Sequence, residues 1–510
     1  MRKVKFLTLI LLAGIFTFSS CTKHWEELNT NPNNPSDVPA TNILGYVIQG
    51  IGRSFFNDWQ GMNNFLSYAG QVTKIQYTDE AHYVYRESTV NAAWRDYYRY
   101  LYNLQTIIKK ANDGDNDRNE QHLKAAAMVL SAMLWQMATD QWEVIPFREA
   151  LKGDDPNHPN TNPKYDTQDT IYYAINDMLK TASNLLANPA GGPLGEGDIL
   201  FNGDLSKWEK FANSLRLRVA IRMSYVDENK AREIFNEVIG GNLPIMQSND
   251  DNAFIWWPGS NPWYEPWYYN RHVRNRDDHG MAKTIIDTLL SFNDPRIGVY
   301  AKPYAYDSLG NPIYVGQVEG AGTNTNVSRI GTRFRDDPAG FTPLMRYAEV
   351  EFILAEAAQR GLITGDAKAY YEAGVRASMK ENGIADTLID AYLANPKVAW
   401  DSAYAFHMSQ GPAGPTYDDH LAKIYIQKWI ALFKQGQEVW AEQRRTDFPP
   451  LPEAPLSPYG THNRQPFRYP YPVDEKNLNG ANYHAAVDGL GIKDDFWGRQ
   501  MWWDVRKGVH

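Results

Sequence analysis

MRYAEVEFILAEAAQR, residues 345–360, is followed by GLITG, residues 361–365, and by DAKAYYEAGVRASMK, residues 366–380. The first string is apolar and rich in alanine, so it can bury most of its surface as a helix. Gly361 and Gly365 bound a short turn. Asp366 carries a side-chain oxygen that can accept a hydrogen bond from the first turn of the next helix. The stretch therefore predicts two helices joined by a short turn, Met345–Arg360 and a partner capped by Asp366 and running to Lys380.

The same rhythm recurs on both sides. Trp94, Tyr97, Tyr98, Leu101, Leu104 and Ile108 fall at three- and four-residue steps on one face. His122–Thr139 is dense in Ala, Met and Leu and predicts a nearly buried helix. Thr167–Leu186 predicts another, with Ile171, Ile175, Met178 and Leu179 on its stripe. Trp208–Tyr225 carries Phe211, Leu215, Val219 and Met223 on its core side, which assigns Arg216, Arg218 and Arg222 to the wetter side. A last helix is predicted from Leu421 to Arg444, with Leu421, Tyr425, Trp429, Leu432, Phe433 and Trp440 on its face. Pro449, Pro450, Pro452 and Pro455 then forbid helix. The fold class expected is mostly α: tetratricopeptide-like helical pairs as a scaffold, with minor β. No strict repeat of about 34 residues is legible.

Two stretches break the helical pattern, Asn249–His279 and Ala301–Pro343. Long irregular segments in a compact protein are functional or disordered, and the aromatic load of the first opposes disorder. Half of the residues from Phe254 to Tyr269 are aromatic, and Pro258, Pro262 and Pro266 forbid a regular helix. Flat rings stack on the C–H faces of sugars, while Asn, Asp and Arg serve the hydroxyls. On that ground Trp256, Trp257, Asn261, Trp263, Tyr264, Trp267 and Arg271 are the candidate ligand-binding residues. Trp263 and Trp267 rank ahead of the adjacent Trp256–Trp257 pair. A second polar-aromatic loop, Gln76–Arg86, adds Tyr77, His82, Tyr83 and Tyr85. Gly192–Gly197 lacks dinucleotide-binding spacing and is expected to be a mobile loop between helices.

The N-terminus carries a further signal. Met1–Lys5 is basic, Phe6–Phe18 is apolar, and Ser19-Ser20-Cys21 follows, which is the layout of a cleaved export signal. The apolar run is shorter than the roughly 20 residues that span a bilayer. Cys21 is the single cysteine of the 510-residue chain. Its small-small-Cys setting resembles the lipobox of bacterial lipoproteins, with Phe18 where a leucine is usual. Stable anchoring takes more than one acyl chain, such as palmitate. Residues 1–20 are thus expected to be a signal peptide and 21–40 a lipidated tether. The formal charge of −9 is a poor match to nucleic acid.

Enzyme signatures are few. There is no Gly-x-Ser-x-Gly elbow, His-Glu-x-x-His pair or phosphate-binding loop. Asp113, Asp115 and Asp117 mimic the start of a calcium loop, but Arg118 and Lys124 stand where it needs Gly and Glu. No metal, cofactor or catalytic residue is expected. A pair of carboxylates for glycoside hydrolysis is a matter of distance in space, which sequence does not give.

Three C-terminal strings carry a family resemblance. RYAEVEFILAEAA (346–358), IYIQKWIALFKQGQEVWAEQRRTDFP (424–449) and RYPYPVDEKNLN (468–479) resemble the signature segments of the SusD/RagB family. The leader, the Asn-Pro pairs at Asn31-Pro32 and Asn34-Pro35, and the Trp94 helix fit in chain order. Within these strings Glu349, Glu351 and Glu356 are expected to be surface or packing carboxylates. Arg444 and Arg445 are expected to complement a helix end. The resemblance implies a single SusD-like domain over residues 41–510, with its ligand region at about 249–343. It implies a nutrient-binding lipoprotein at the outer membrane, facing the cell exterior. The implied partners are an oligosaccharide and a SusC-like TonB-dependent transporter. A peptide-binding RagB-like protein and a helical glycoside hydrolase are the alternatives.

Overall fold

The computed structural model describes residues 38–112, 120–403, 418–458, 465–491 and 498–507. Cys21, the leader, nearly all of the expected tether and Asp113, Asp115 and Asp117 lie outside the described residues.

The scaffold is a succession of helices, many of them packed on the next. The longer ones are α1 (Ala40–Phe55), α2 (Glu87–Asn112), α3 (Gln121–Trp142), α4 (Gln168–Ala187), α5 (Leu205–Met223), α6 (Glu228–Phe235) and α7 (Lys283–Ser291). They continue as α8 (Tyr347–Gln359), α9 (Ala367–Glu381), α10 (Asp386–Leu393), α11 (Asp419–Ala431), α12 (Gly436–Thr446) and α13 (Gly480–Leu490). Consecutive pairs α1–α2, α2–α3, α3–α4, α4–α5 and α8–α9 pack side by side. Gly50 lets α1 meet α2 closely, since a Cβ there would lie 2.4 Å from the Tyr100 ring. The α8–α9 pair matches the expectation, and the Asp366 carboxylate accepts from Ala369 N at 3.2 Å.

The helix α3 is apolar on nearly all sides and is buried along its length, so it runs through the core. Helix α8 packs against both α5 and α11. The predicted helix Leu421–Arg444 is two helices. Lys434 takes a left-handed backbone conformation between them, at φ 73°, and its ammonium turns inward to Glu265 at 3.0 Å.

The three arginines of α5 are buried, not on a wet side. Arg218 pairs with Glu349 at 2.6 Å, Arg222 lies 3.3 Å from Glu442, and Arg216 meets Glu237. Glu356 pairs with Arg445 at 2.6 Å, and Arg444 donates to the Asp140 carbonyl at 2.8 Å. Glu349 and Glu356 are therefore interior partners of arginines on other helices, and Arg444 and Arg445 do not serve an exposed helix end. Burial pushes the Glu356 carboxyl up, but Arg445 and Arg360 outweigh it and hold it below its ordinary value.

The β structure is minor, and its two longest pairings join distant segments. Strand β1 (Val72–Lys74) pairs antiparallel with β3 (His279–Met281), with Thr73 opposite Gly280. Strand β2 (Ala253–Trp256) pairs with β4 (Phe341–Met345). The Gly192–Gly197 loop is docked against α1 instead of standing free. Gly197 N donates to Thr41 Oγ1 at 2.8 Å, and a Cβ on Gly197 would clash with the Thr41 carbonyl at 1.7 Å.

Candidate functional site

Helix α1 ends at Phe55, and a π-helical stretch, Asp58–Phe65, takes over. Asn57 caps it: its Oδ1 accepts from Gln60 N at 2.9 Å, and its Nδ2 donates to Arg53 O at 2.9 Å. The inner side of the stretch is locked into the core. Phe65 stacks on Trp440 and Tyr469 at 5.6 and 5.8 Å, and Asn64 donates to Tyr469 Oη at 2.7 Å. Asp58 and Trp59 remain on the half-buried side.

The 261–274 loop is held opposite. Buried Glu265 caps the short turn Pro266–Tyr268, accepting from Trp267 N at 2.7 Å and Tyr268 N at 2.8 Å. Burial raises the Glu265 carboxyl, and Lys434 works against that rise. The Trp267 indole is fully buried and donates to Phe56 O at 2.8 Å. Arg53 reaches across to donate to the Pro262 carbonyl, and its guanidinium lies 4.8 Å from the Trp263 ring.

Between these two walls lies a cavity of about 400 Å³. Arg53, Asn57, Asp58 and Trp59 line one side; Asn261, Pro262, Tyr264, Pro266, Tyr269 and Arg274 line the other. Asp58 sits 3.8 Å from Arg274 and accepts from Asn270 Nδ2 at 2.8 Å. Burial is the leading influence on its carboxyl and leaves it above the ordinary value. The walls thus combine ring faces with amide, carboxylate and guanidinium groups. That combination suits a ligand with apolar C–H faces and many hydroxyls.

The β1–β3 pairing carries the Tyr77 loop to the same region. Ile75 N donates to Asp278 O at 2.9 Å. Tyr77 is 66% exposed, with Arg276 5.0 Å from its ring. Arg86 and Lys74 lie 5.2 and 5.9 Å from the Trp59 ring. The two loops proposed from sequence are therefore joined, with Trp59 between them.

Individual candidates divide by exposure. Trp263 and Trp256 are 40% and 58% exposed, whereas Trp257 and Trp267 are 4% and 0% exposed. Trp267 is thus a correction: its ring is an internal plug that fixes the loop to α1. Trp257 is a second one, packed over Gly52 with its indole donating to Thr342 Oγ1 at 3.0 Å. Strand alternation explains the neighbours, because successive side chains point to opposite faces. Tyr264 is half-buried at 5.4 Å from Tyr268, Asn261 is exposed, and half-buried Arg271 faces Asp277 at 3.5 Å. Tyr83 is buried and belongs to the core, a third correction. His82 pairs with the Ala321 carbonyl at 3.0 Å, and Tyr85 is half-buried against the core.

Among the described residues no cluster of His, Cys, Asp and Glu could hold a metal ion, and no helix is long and apolar enough to cross a membrane.

The SusD-like family model, described as starch-binding and associating with the outer membrane, matches residues 32–472. The chain belongs to the SusD-like family. No curated protein matches it. A solved structure of a chitin-binding protein is 26% identical with a TM-score of 0.77, covering 92% of this chain and 100% of that one. A chitin-binding SusD homolog from Flavobacterium johnsoniae is 25% identical with a TM-score of 0.75, covering 91% and 98%. A SusD homolog from Parabacteroides distasonis shares the fold at 23% identity and a TM-score of 0.78, covering 92% and 99%.

Sequence reasoning missed one wall of this SusD-like cavity. Arg53, Asn57, Asp58 and Trp59 sit in RSFFNDWQGMNNF, residues 53–65, where a helical stripe gives way to paired aromatics and amides. That change of composition is the signal that could have found them.

Proposed function

We propose that this SusD-like protein binds an oligosaccharide in the cavity between Asp58–Trp59 and Asn261–Arg274. It would then deliver the ligand, without chemistry, to a SusC-like TonB-dependent transporter. The observation that carries the reading is the wall composition: Trp59, Tyr264 and Tyr269 supply ring faces, and Asn57, Asp58, Asn261 and Arg274 supply hydroxyl partners. The chitin-binding relatives support it from a second direction. Among the described residues Asp58 is the one carboxylate lining the cavity, whereas glycoside hydrolysis commonly uses two. Trp263, Trp256, Tyr77 and Arg271 are proposed to extend contacts along the rim. Lipidation at Cys21 would hold the protein at the outer membrane, facing out, beside its transporter.

The test is a mature Cys21→Ala chain titrated calorimetrically with neutral and acidic oligosaccharides and with peptides, each mixture being checked for cleavage. Binding of an oligosaccharide without product is the expected result. Product formation, or binding of peptides alone, overturns the reading.

A further inference from the structure

Guanidinium groups in this fold have carboxylate partners almost wherever they are buried. Arg218, Arg296, Arg445 and Arg506 lie 2.6, 2.6, 2.6 and 2.8 Å from Glu349, Asp294, Glu356 and Asp504. Arg53 is different. Its contacts are all uncharged: the Pro262 carbonyl and the faces of Trp263 and Trp257, at 4.8 and 5.9 Å from the rings. Asp58, the nearest acid on the cavity wall, is already engaged by Arg274 and Asn270. The wall therefore holds two guanidiniums and one carboxylate, in a chain whose formal charge is −9.

An aromatic face and a carbonyl fix the plane of Arg53 without neutralising it, and its other N–H donors are left for a ligand. Such a fork matches the two oxygens of a carboxylate or sulfate. The hydroxyls of a neutral sugar can be served by Asn57, Asn261 and Asp58, so they do not account for an uncompensated charge. We infer that the cavity takes an oligosaccharide bearing carboxylate or sulfate groups, with Arg53 as the residue that binds the anionic substituent. The inference rests on the glycan reading above and narrows its substrate class.

The experiment titrates the mature Cys21→Ala chain with oligogalacturonate, with a sulfated galactan oligosaccharide that carries no carboxylate, and with neutral chito- and malto-oligosaccharides. The two acidic arms separate carboxylate from sulfate. Affinity for at least one acidic ligand should exceed that for every neutral one and fall as NaCl rises from about 50 to about 500 mM. Arg53→Gln should weaken acidic-ligand binding by about tenfold or more, a clearly larger factor than its effect on any neutral ligand. Arg53→Lys, which keeps the charge and loses the fork, should fall between, and matched melting temperatures exclude a folding defect. Neutral ligands bound as tightly, with no salt dependence and equal losses in Arg53→Gln, overturn the anionic inference while the glycan reading stands. Failure of every oligosaccharide to bind overturns both.

Discussion

The seam between α5, α8 and α12 and the rim of the cavity use the same residue types to opposite ends. In the seam, Arg218, Arg222 and Arg445 are sealed from water and meet Glu349, Glu442 and Glu356. On the rim, Arg53 is exposed and lies over tryptophan faces with no carboxylate beside it. A charge removed from water must be matched within the fold; one left at a wet edge is free to be matched by a ligand. Stability should therefore reside in the first set and recognition in the second.

The largest break of this contrast is Glu356→Ala, which strips Arg445 of its best partner. It should cost about 3–5 kcal/mol of folding stability, read by denaturant unfolding. Trp267→Ala belongs with the seam despite its place in the ligand loop. It should lower stability by about 3–5 kcal/mol, and ligand binding should fail as a consequence of the loosened loop. Trp59→Ala and Trp263→Ala belong to the rim. Each should weaken calorimetric binding by about 1–3 kcal/mol, the scale of a base stacked on an aromatic side chain, with melting temperature little changed.

A smaller effect comes from His279 beneath the rim. Burial, and then the charge of Arg335, hold its imidazole down at about 3, and the ring meets Asn63 Oδ1 at 2.6 Å. The unfolded chain binds this proton from about pH 6.5 downward, whereas the folded chain does so only near 3. Stability is thus drained as pH falls between those values, by at most about 1.4 kcal/mol per pH unit. Asp278, held at about 2, adds its own loss only below about pH 3.8. His279→Gln keeps a donor for Asn63 and should flatten the decline of melting temperature from pH 6.5 to 4. The smallest effect expected is on the stability of Arg53→Gln, within about 0.5 kcal/mol of the parent. A larger loss would place Arg53 with the seam and erase the contrast.

The helices were legible because a buried stripe repeats in sequence as it does in space. The seam was not. Periodicity assigns Arg216, Arg218 and Arg222 to solvent, and the carboxylates that make burial tolerable come from distant segments: Glu349 lies 131 residues from Arg218. The 254–269 loop announced itself by composition, but composition does not say which ring faces inward. Trp256 and Trp257 part because a strand alternates, and Trp267 turns inward because Glu265 and Phe56 hold it. The Tyr77 loop and the loop ending at His279 were brought together by a strand pair spanning some two hundred residues, which no local pattern records.

The long-range clamp on Asp58–Phe65 has a consequence in time. The wall that bears Asp58 and Trp59 is made early, yet Trp440 and Tyr469, which hold it, are made near the end of synthesis. Contacts across such separations close late in folding. The earliest-made part of the cavity wall therefore waits for a late segment, and a chain cut short before Tyr469 would carry every cavity-lining residue while lacking one of the two rings that stack on Phe65. The capacity to hold ligand becomes a report that the chain has folded as far as Tyr469.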